Sequence, residues 1–177
     1  MPTGKMLLLS CCAPCSAGVI KTLAESGADF AVAFYNPNIR PALEYEKRRD
    51  ENKRVCDLFH VPFIEFDYDP ENWDCATADL LGEPERGKRC DICFYMRLKK
   101  VAVWAKQNGY DTFSSVLGIS RYKDFDQVCR AAQKVSNEIG LPYDTTNWRL
   151  NGGEALRQAM EKELGLYRQR YCGCKPR

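Results

Sequence analysis

The chain has 177 residues, 45% of them hydrophobic and 28% charged, with 12 glycines and 9 prolines. That is enough to bury one core, and the composition excludes disordered, collagen-like and coiled-coil readings. Twenty-six basic residues against 24 acidic ones leave a net charge of +2, which excludes a uniformly basic nucleic-acid coat but leaves local basic patches open. The apolar run Met6 to Leu9 is far short of the roughly 20 residues of a membrane span, and no stretch has a signal-peptide pattern. The expectation is a soluble, cytoplasmic protein with no membrane partner.

In chain order, Lys5–Ser10 reads as a short apolar strand, followed at once by Cys11-Cys12-Ala13-Pro14-Cys15. Pro14 suits a first helical turn, so Cys15–Ser26 is predicted helical, with Gly27 as its stop. Phe30–Tyr35 is a β-branched and aromatic strand, broken by Asn36-Pro37-Asn38. Pro41–Phe59 is a long charged helix with Glu44/Arg48 and Asp50/Arg54 at pairing distance. A third strand is predicted at Val61–Phe66, a short helix at Glu71–Leu81 and a loop at Pro84–Gly87. A helix at Cys90–Asn108 follows, ended by Gly109, then a strand at Thr112–Ile119 and helices at Asp124–Gly140 and Glu154–Leu164. Alternation of strands and helices implies a mainly parallel sheet with helices on both faces. The whole chain, 1–177, reads as one α/β domain with a helical insertion around residues 70–100.

Ten cysteines are the unusual number. In a chain long enough to fold without staples and lacking an export signal, they point to metals or redox chemistry rather than structural bridges. The single histidine, His60, argues against histidine-rich zinc sites and reads as structural. Cys11, Cys12 and Cys15 fall where the first strand meets the first helix, a position that favours anions and thiolates. Cys90-Asp91-Ile92-Cys93 puts two sulfurs on one helical face, with Asp91 turned aside by about a third of a turn. Together the two motifs offer five thiols, enough for an iron–sulfur cluster or a zinc ion, with one left over. Cys172-Gly173-Cys174 can close only a small, strained disulfide, which suits an electron-carrying pair better than a staple. Cys56 and Cys129 fall in helical patterns and read as core, while Cys75 stays unassigned.

Two stretches are basic. Residues 84–100 hold Arg86, Lys88, Arg89, Arg97, Lys99 and Lys100 against Glu85 and Asp91, with Phe94 and Tyr95 interleaved. Residues 157–177 hold Arg157, Lys162, Arg168, Arg170, Lys175 and Arg177 against Glu161 and Glu163. Cations with stacking aromatics are what RNA recognition uses. No glycine-rich phosphate loop follows any predicted strand, so an ATP- or NAD-dependent reaction has no support.

The ordered set Cys11-Cys12-Ala13-Pro14-Cys15, Tyr35-Asn36-Pro37-Asn38-Ile39 with Glu44, Tyr45 and Arg48, Tyr68-Asp69-Pro70 before Trp73, Arg89-Cys90-Asp91-Ile92-Cys93-Phe94 with Arg97-Leu98, and Tyr171-Cys172-Gly173-Cys174 resembles the cobalamin-independent epoxyqueuosine reductases of the QueH type. Ser120–Asp126 matches more loosely. The resemblance implies a fold like the adenine nucleotide alpha hydrolases (HUP-like) and a 4Fe-4S cluster on Cys11, Cys12, Cys90 and Cys93. Asp91 and Cys15 would lie beside the cluster, on an additional iron. It further implies reduction of the epoxyqueuosine epoxide in tRNA to queuosine, with an external electron donor and Cys172/Cys174 as relay. Asp91, Tyr35, Tyr45 or a water would protonate the departing oxygen. Asn36, Asn38, Tyr45 and Arg48 would face the modified base, and the basic stretches the anticodon stem. Three other readings stay open on the residues: a zinc-stabilised RNA-binding module without catalysis, a cluster-dependent tRNA sulfur transferase, and a general thiol–disulfide oxidoreductase.

Overall fold

The computed structural model describes residues 4–174. Its strands β1 (Met6–Ser10), β2 (Phe30–Phe34), β3 (Phe63–Glu65) and β4 (Thr112–Ser115) form one parallel sheet in the order β3-β2-β1-β4. The helices are α1 (Ala13–Glu25), α2 (Ala42–Leu58), α3 (Pro70–Thr77), α4 (Lys88–Gln107), α5 (Phe125–Ile139) and α6 (Gly153–Glu163). Every residue of β1 and β2 is buried. Their sequences, Met-Leu-Leu-Leu-Ser and Phe-Ala-Val-Ala-Phe, therefore show the unbroken apolar run of a strand covered on both faces, not an alternation.

The chain steps outward from β1 to β2 to β3, then returns across the sheet to β4. Right-handed crossovers consequently place α1 and α2 on one face and α4 on the other. The packing agrees: α1 touches α2 and α6, whereas α4 touches α5 and α3. Direction reverses between β1 and β4, so the loops after these strands leave on opposite faces and open a crevice at the strands' carboxyl ends. The outer edge of β4 is capped by residues 142–144, where Phe113 N donates to Pro142 O (3.1 Å) and Asp144 N to Phe113 O (2.9 Å), leaving no free edge there.

Two boundaries differ furthest from the sequence reading. The strand expected to reach Ile119 stops at Ser115, and Leu117–Ile119 form a 3-10 turn. Phe125 packs so closely there that a Cβ on Gly118 would lie 2.5 Å from its ring, so the chain must turn at a glycine. The helix expected over 71–81 ends as α helix at Thr77, whose hydroxyl bonds back to Trp73 O at 2.9 Å, and continues as a 3-10 turn over Ala78–Leu80. His60 is exposed and adopts φ 55 just past α2, closing the helix end where Val61 N donates to Cys56 O at 2.9 Å. No helix among the described residues is long and apolar enough to cross a membrane.

Candidate active site

The sheet's carboxyl edge collects the cysteines. Cys11 and Cys12 follow β1 directly, Cys12 being the N-cap of α1, and Cys15 lies in its first turn. All three are buried, and their sulfurs lie within 4.8 Å of one another. Behind them, Asn52 of α2 accepts from the hydroxyls of Ser10 (2.5 Å) and Ser16 (2.9 Å), pinning the two ends of the cysteine loop. Lys123, only 4% exposed, reaches in from the loop after β4 with its Nζ 3.7 Å from Cys11 Sγ. Gln169 donates its amide to Cys12 Sγ at 2.7 Å.

Charge in this trio is shared unequally. Hydrogen bonds from Cys12 and Cys15, helped by Lys123 and Arg97, hold Cys11 well below the ordinary thiol range against the effect of burial. The hydrogen bond to Cys11 pushes Cys12 up to about 12, and bonds to Cys11 and Cys12 push Cys15 well above its ordinary value. Of the three buried sulfurs, Cys11 thus gives up its proton most readily, while Cys12 and Cys15 hold theirs. A cation bound among them would release those protons, so the donor set suits a thiophilic metal.

Helix α4 brings the second pair from the opposite face. Cys90 and Cys93 occupy its first two turns. Both α1 and α4 point their N-termini at this edge, and the aligned peptide dipoles favour thiolates there. Arg97, fully buried, binds Tyr35 O (3.2 Å) through Nε and the Asn36 side chain through Nη2, and sets Nη1 4.0 Å from Cys93 Sγ. Arg89 is 1% exposed; Nη1 reaches Leu81 O at 3.3 Å, while its buried Nε and Nη2 have no partner among the described atoms. Its charge acts on Cys90 and Cys174. A buried guanidinium with two free donors beside thiols calls for an anion, and a metal centre carrying four thiolates is one. The residues present therefore fit an iron–sulfur group.

The chain beyond α6 folds over these cysteines as an ordered strap. Tyr167 N and its hydroxyl bond Glu51 and Glu44, each at 3.0 Å, and Tyr122 OH donates to Arg170 O at 2.7 Å. Arg48, 2% exposed and paired with Glu44 at 2.7 Å, donates to Cys172 O (2.9 Å) and Tyr171 O (3.2 Å). Arg40 N donates to Gly173 O at 2.9 Å. Gly173 sits at φ +130, and a Cβ there would lie 2.9 Å from Ile39 Cγ1, so only glycine fits. The strap lies between the two cysteine sets: Cys172 interacts electrostatically with Cys11 and Cys90, and Cys174 with Cys93. A hydrogen bond from Cys174, with Lys123 and Arg97 nearby, brings Cys172 down to about 5 despite burial, and Cys174 is pushed far up in return.

The remaining expected residues fall elsewhere around this edge. Asn36, Asn38, Tyr45 and Arg48 are all buried. Asn36 Nδ2 donates to Ser10 O at 2.9 Å, and Tyr45 stacks on Tyr68 at 4.1 Å. Asn38 Oδ1 is buried without a partner among the described atoms. Asp91 is exposed on the α5 side of α4, where Gln127 Nε2 donates to it at 2.8 Å. Cys56 is buried and Cys75 exposed. Sequence reasoning passed over Asn52, Lys123 and Gln169. A lysine in a loop carries no sign of burial, and only the Ser120–Asp126 stretch of the resemblance touches it.

Comparison with known proteins decides among the readings. The family model described as "Epoxyqueuosine reductase QueH" matches residues 6–175. The chain belongs to the epoxyqueuosine reductase QueH family. It is 44% identical over 171 residues to the epoxyqueuosine reductase QueH of Acinetobacter baylyi, covering 96% of this chain and 78% of that one. The Histophilus somni relative of the same name is 46% identical over 96% of this chain and 70% of its own, and the Thermotoga maritima relative 33% over 97% and 88%. The chain is accordingly an oxidoreductase with a role in queuosine synthesis, and the reading as a non-catalytic RNA-binding module falls. A crystal structure described as a predicted subunit of a tRNA methyltransferase from Methanocaldococcus jannaschii superimposes with TM-score 0.61 at 12% identity, covering 89% of this chain and 74% of that one. That likeness bears out the α/β fold class, a mainly parallel sheet with helices on both faces.

Proposed function

We propose that the chain acts in the cytoplasm as one α/β unit and reduces the epoxide of epoxyqueuosine in tRNA to the alkene of queuosine. Cys11, Cys12, Cys90 and Cys93 would hold a 4Fe-4S cluster, and Cys15 and Asp91 an additional iron. The observation that carries this reading is that two cysteine sets, from opposite faces of the sheet, meet around buried Arg97, which acts on Cys11 and sets Nη1 4.0 Å from Cys93 Sγ, with Lys123 at the first set and Arg89 at the second. Once bound, such a centre supplies single electrons and a Lewis-acid position for an oxygen.

The reaction consumes two electrons and two protons: both C–O bonds of the epoxide break, the oxygen leaves as water, and a carbon–carbon double bond forms. Cys172 and Cys174 match the electron count: closing a Cys172 thiolate on the Cys174 thiol into a disulfide releases two electrons and one proton, and the second proton comes from solvent. An external donor returns them to the dithiol form. Cys172 is the sulfur poised as thiolate, and Cys174 is the one that keeps its proton. Arg48 holds the Tyr171 and Cys172 carbonyls and so fixes the distance of Cys172 from the cluster ligands. Lys123, 3.7 Å from Cys11 Sγ, favours negative charge on that sulfur. Asp91, steadied by Gln127, leaves one carboxylate oxygen to orient or protonate the departing oxygen. Among the four residues assigned to the base, Asn38 has an unspent polar atom to offer. Asn36, Tyr45 and Arg48 hold the wall behind it.

Anaerobic purification followed by iron, sulfide and visible-absorption analysis tests the centre, and turnover of epoxyqueuosine-containing tRNA tests the reaction. About four to five irons and about four sulfides per chain, with conversion to queuosine, are the expected result. One zinc, no sulfide and no conversion after reconstitution would overturn the reading.

A further inference from the structure

A cleft of about 480 Å³ opens beside the cysteines, with Pro14 and Cys15 at its floor and Ile119 and Ser120 on one wall. That is the size of a small-molecule site, and five arginines line it: Arg86, Arg121, Arg149, Arg157 and Arg168. They are not equivalent. Arg149 spends its guanidinium on Ile119 O (3.0 and 2.8 Å) and Ser120 O (2.9 Å). Arg157 is held between Glu154 (2.8 Å) and Glu161 (2.7 Å). Arg121 has no carboxylate partner among the described residues, and Arg168 only a loose one, Glu161 at 3.6 Å.

Two short segments carry the unspent charge to the mouth. Along 168–170 exposure alternates: Gln169 turns in to Cys12, so Arg168 and Arg170 turn out. In the loop after β4, Lys123 turns in to Cys11 while Arg121 is exposed. Tyr122 ties the two segments together through Arg170 O, and Arg121 stacks over its ring at 5.1 Å. A second opening, lined by Arg121, Tyr122, Arg168, Gln169 and Arg170, adjoins the first. Each segment thus has one residue on a cluster-ligand sulfur and neighbouring cations facing solvent.

We propose that Arg121, Arg168 and Arg170 form a rim that grips RNA backbone phosphates on either side of one nucleotide turned into the Cys15 cleft, with Tyr122 stacking on an adjacent base. This rests on the reading above and assigns the contacts for its substrate. Guanidiniums with no close carboxylate, set around an aromatic, are what single-stranded RNA requires, because splayed bases need a stacking face and phosphates need forked donors. A duplex offers neither loose bases nor a nucleotide free to enter a cleft.

The test is fluorescence anisotropy of an unmodified anticodon stem-loop oligonucleotide with the anaerobically purified full chain, titrated between about 50 and 200 mM salt. The triple variant Arg121→Gln, Arg168→Gln, Arg170→Gln is expected to bind roughly tenfold or more weakly and to lower the slope of log K against log salt by about 2. Tyr122→Leu is expected to lose at least about fivefold on the stem-loop, with Tyr122→Phe restoring it and a blunt RNA duplex unaffected. Arg130→Gln, a single charge loss in the groove between α4 and α5, serves as control for the single variant Arg121→Gln and is expected to change neither affinity nor slope. An unchanged affinity and slope in the triple variant overturns the proposal. So does an equal loss on the duplex. Iron, sulfide and the visible spectrum are recorded on the same preparations. A rim that fails with the spectrum intact is then separated from a wild-type chain that holds no cluster.

Discussion

The arginines of this chain fall into two populations that composition cannot distinguish. Arg48, Arg89 and Arg97 are at most 2% exposed and hold carbonyls, an amide and the surroundings of cysteines. Arg121, Arg168 and Arg170 are exposed and touch little that is fixed. The sequence groups Arg89 and Arg97 with Lys88, Lys99 and Lys100 as one basic stretch, and Arg157 with Arg168 and Arg170 as another. The fold splits both groups. A buried arginine fixes where sulfur and backbone sit, and its loss leaves polar groups stranded. A surface arginine acts on what arrives from solution, and its loss is felt in binding and salt dependence, not in stability.

The contrast breaks down if Arg97 proves dispensable. Arg97→Met is expected to destabilise the fold by about 3 kcal/mol or more, because Tyr35 O and the Asn36 side chain lose a buried donor. Arg97→Lys is expected not to rescue it, since one ammonium cannot span those acceptors. Urea unfolding measures both, and the triple rim variant should stay within about 0.5 kcal/mol of the parent in the same assay.

Next in size is Gly173→Ala, which challenges the strap that Arg48 holds. Hydrogen exchange should report local opening around residues 170–174, by about 1–3 kcal/mol, with the sheet amides unaffected.

Cys174→Ala sharpens the electrostatic side near Arg89. The hydrogen bond from Cys174 is the main reason Cys172 lies at about 5. In metal-free protein, alkylation of Cys172 should rise with pH through about 5 in the parent and only at higher pH in the variant.

The smallest effect belongs to the half-way case, Arg157. Glu154, hydrogen-bonded to it, is held down to about 2. A depressed carboxyl contributes stability above its unfolded value near 4.3, which is lost as pH falls toward 2. Glu154→Gln should flatten stability between those pH values by less than about 1 kcal/mol, since the Glu154 side chain is 45% exposed.

Most of the scaffold was legible because it follows local rules. β1 and β2 are unbroken apolar runs, the second closed by Asn36-Pro37, and α1 carries Pro14 in its first turn, starting at Ala13, two residues ahead of the expected Cys15. The cysteine motifs were legible as chemistry because their spacing is short. Their meeting was not: Cys11 and Cys93 come to the same buried Arg97 only because the β1/β4 switch point turns two helix N-termini to one edge, which no local pattern encodes. Lys123 and Asn52 were invisible for a related reason. Each is an ordinary polar residue whose role comes from distant neighbours, Cys11 for the one and Ser10 and Ser16 for the other. The strap over residues 166–174 likewise reads as a basic tail until its carbonyls are seen on Arg48 and Arg40.

The contact from Gln169 to Cys12 spans 157 positions of the chain. A ribosome adding roughly 5–20 residues per second needs about 8–30 seconds to cover that distance. For that interval the first three cysteines exist without the segment that covers them, so synthesis itself sets a period in which those thiols face the surrounding solution.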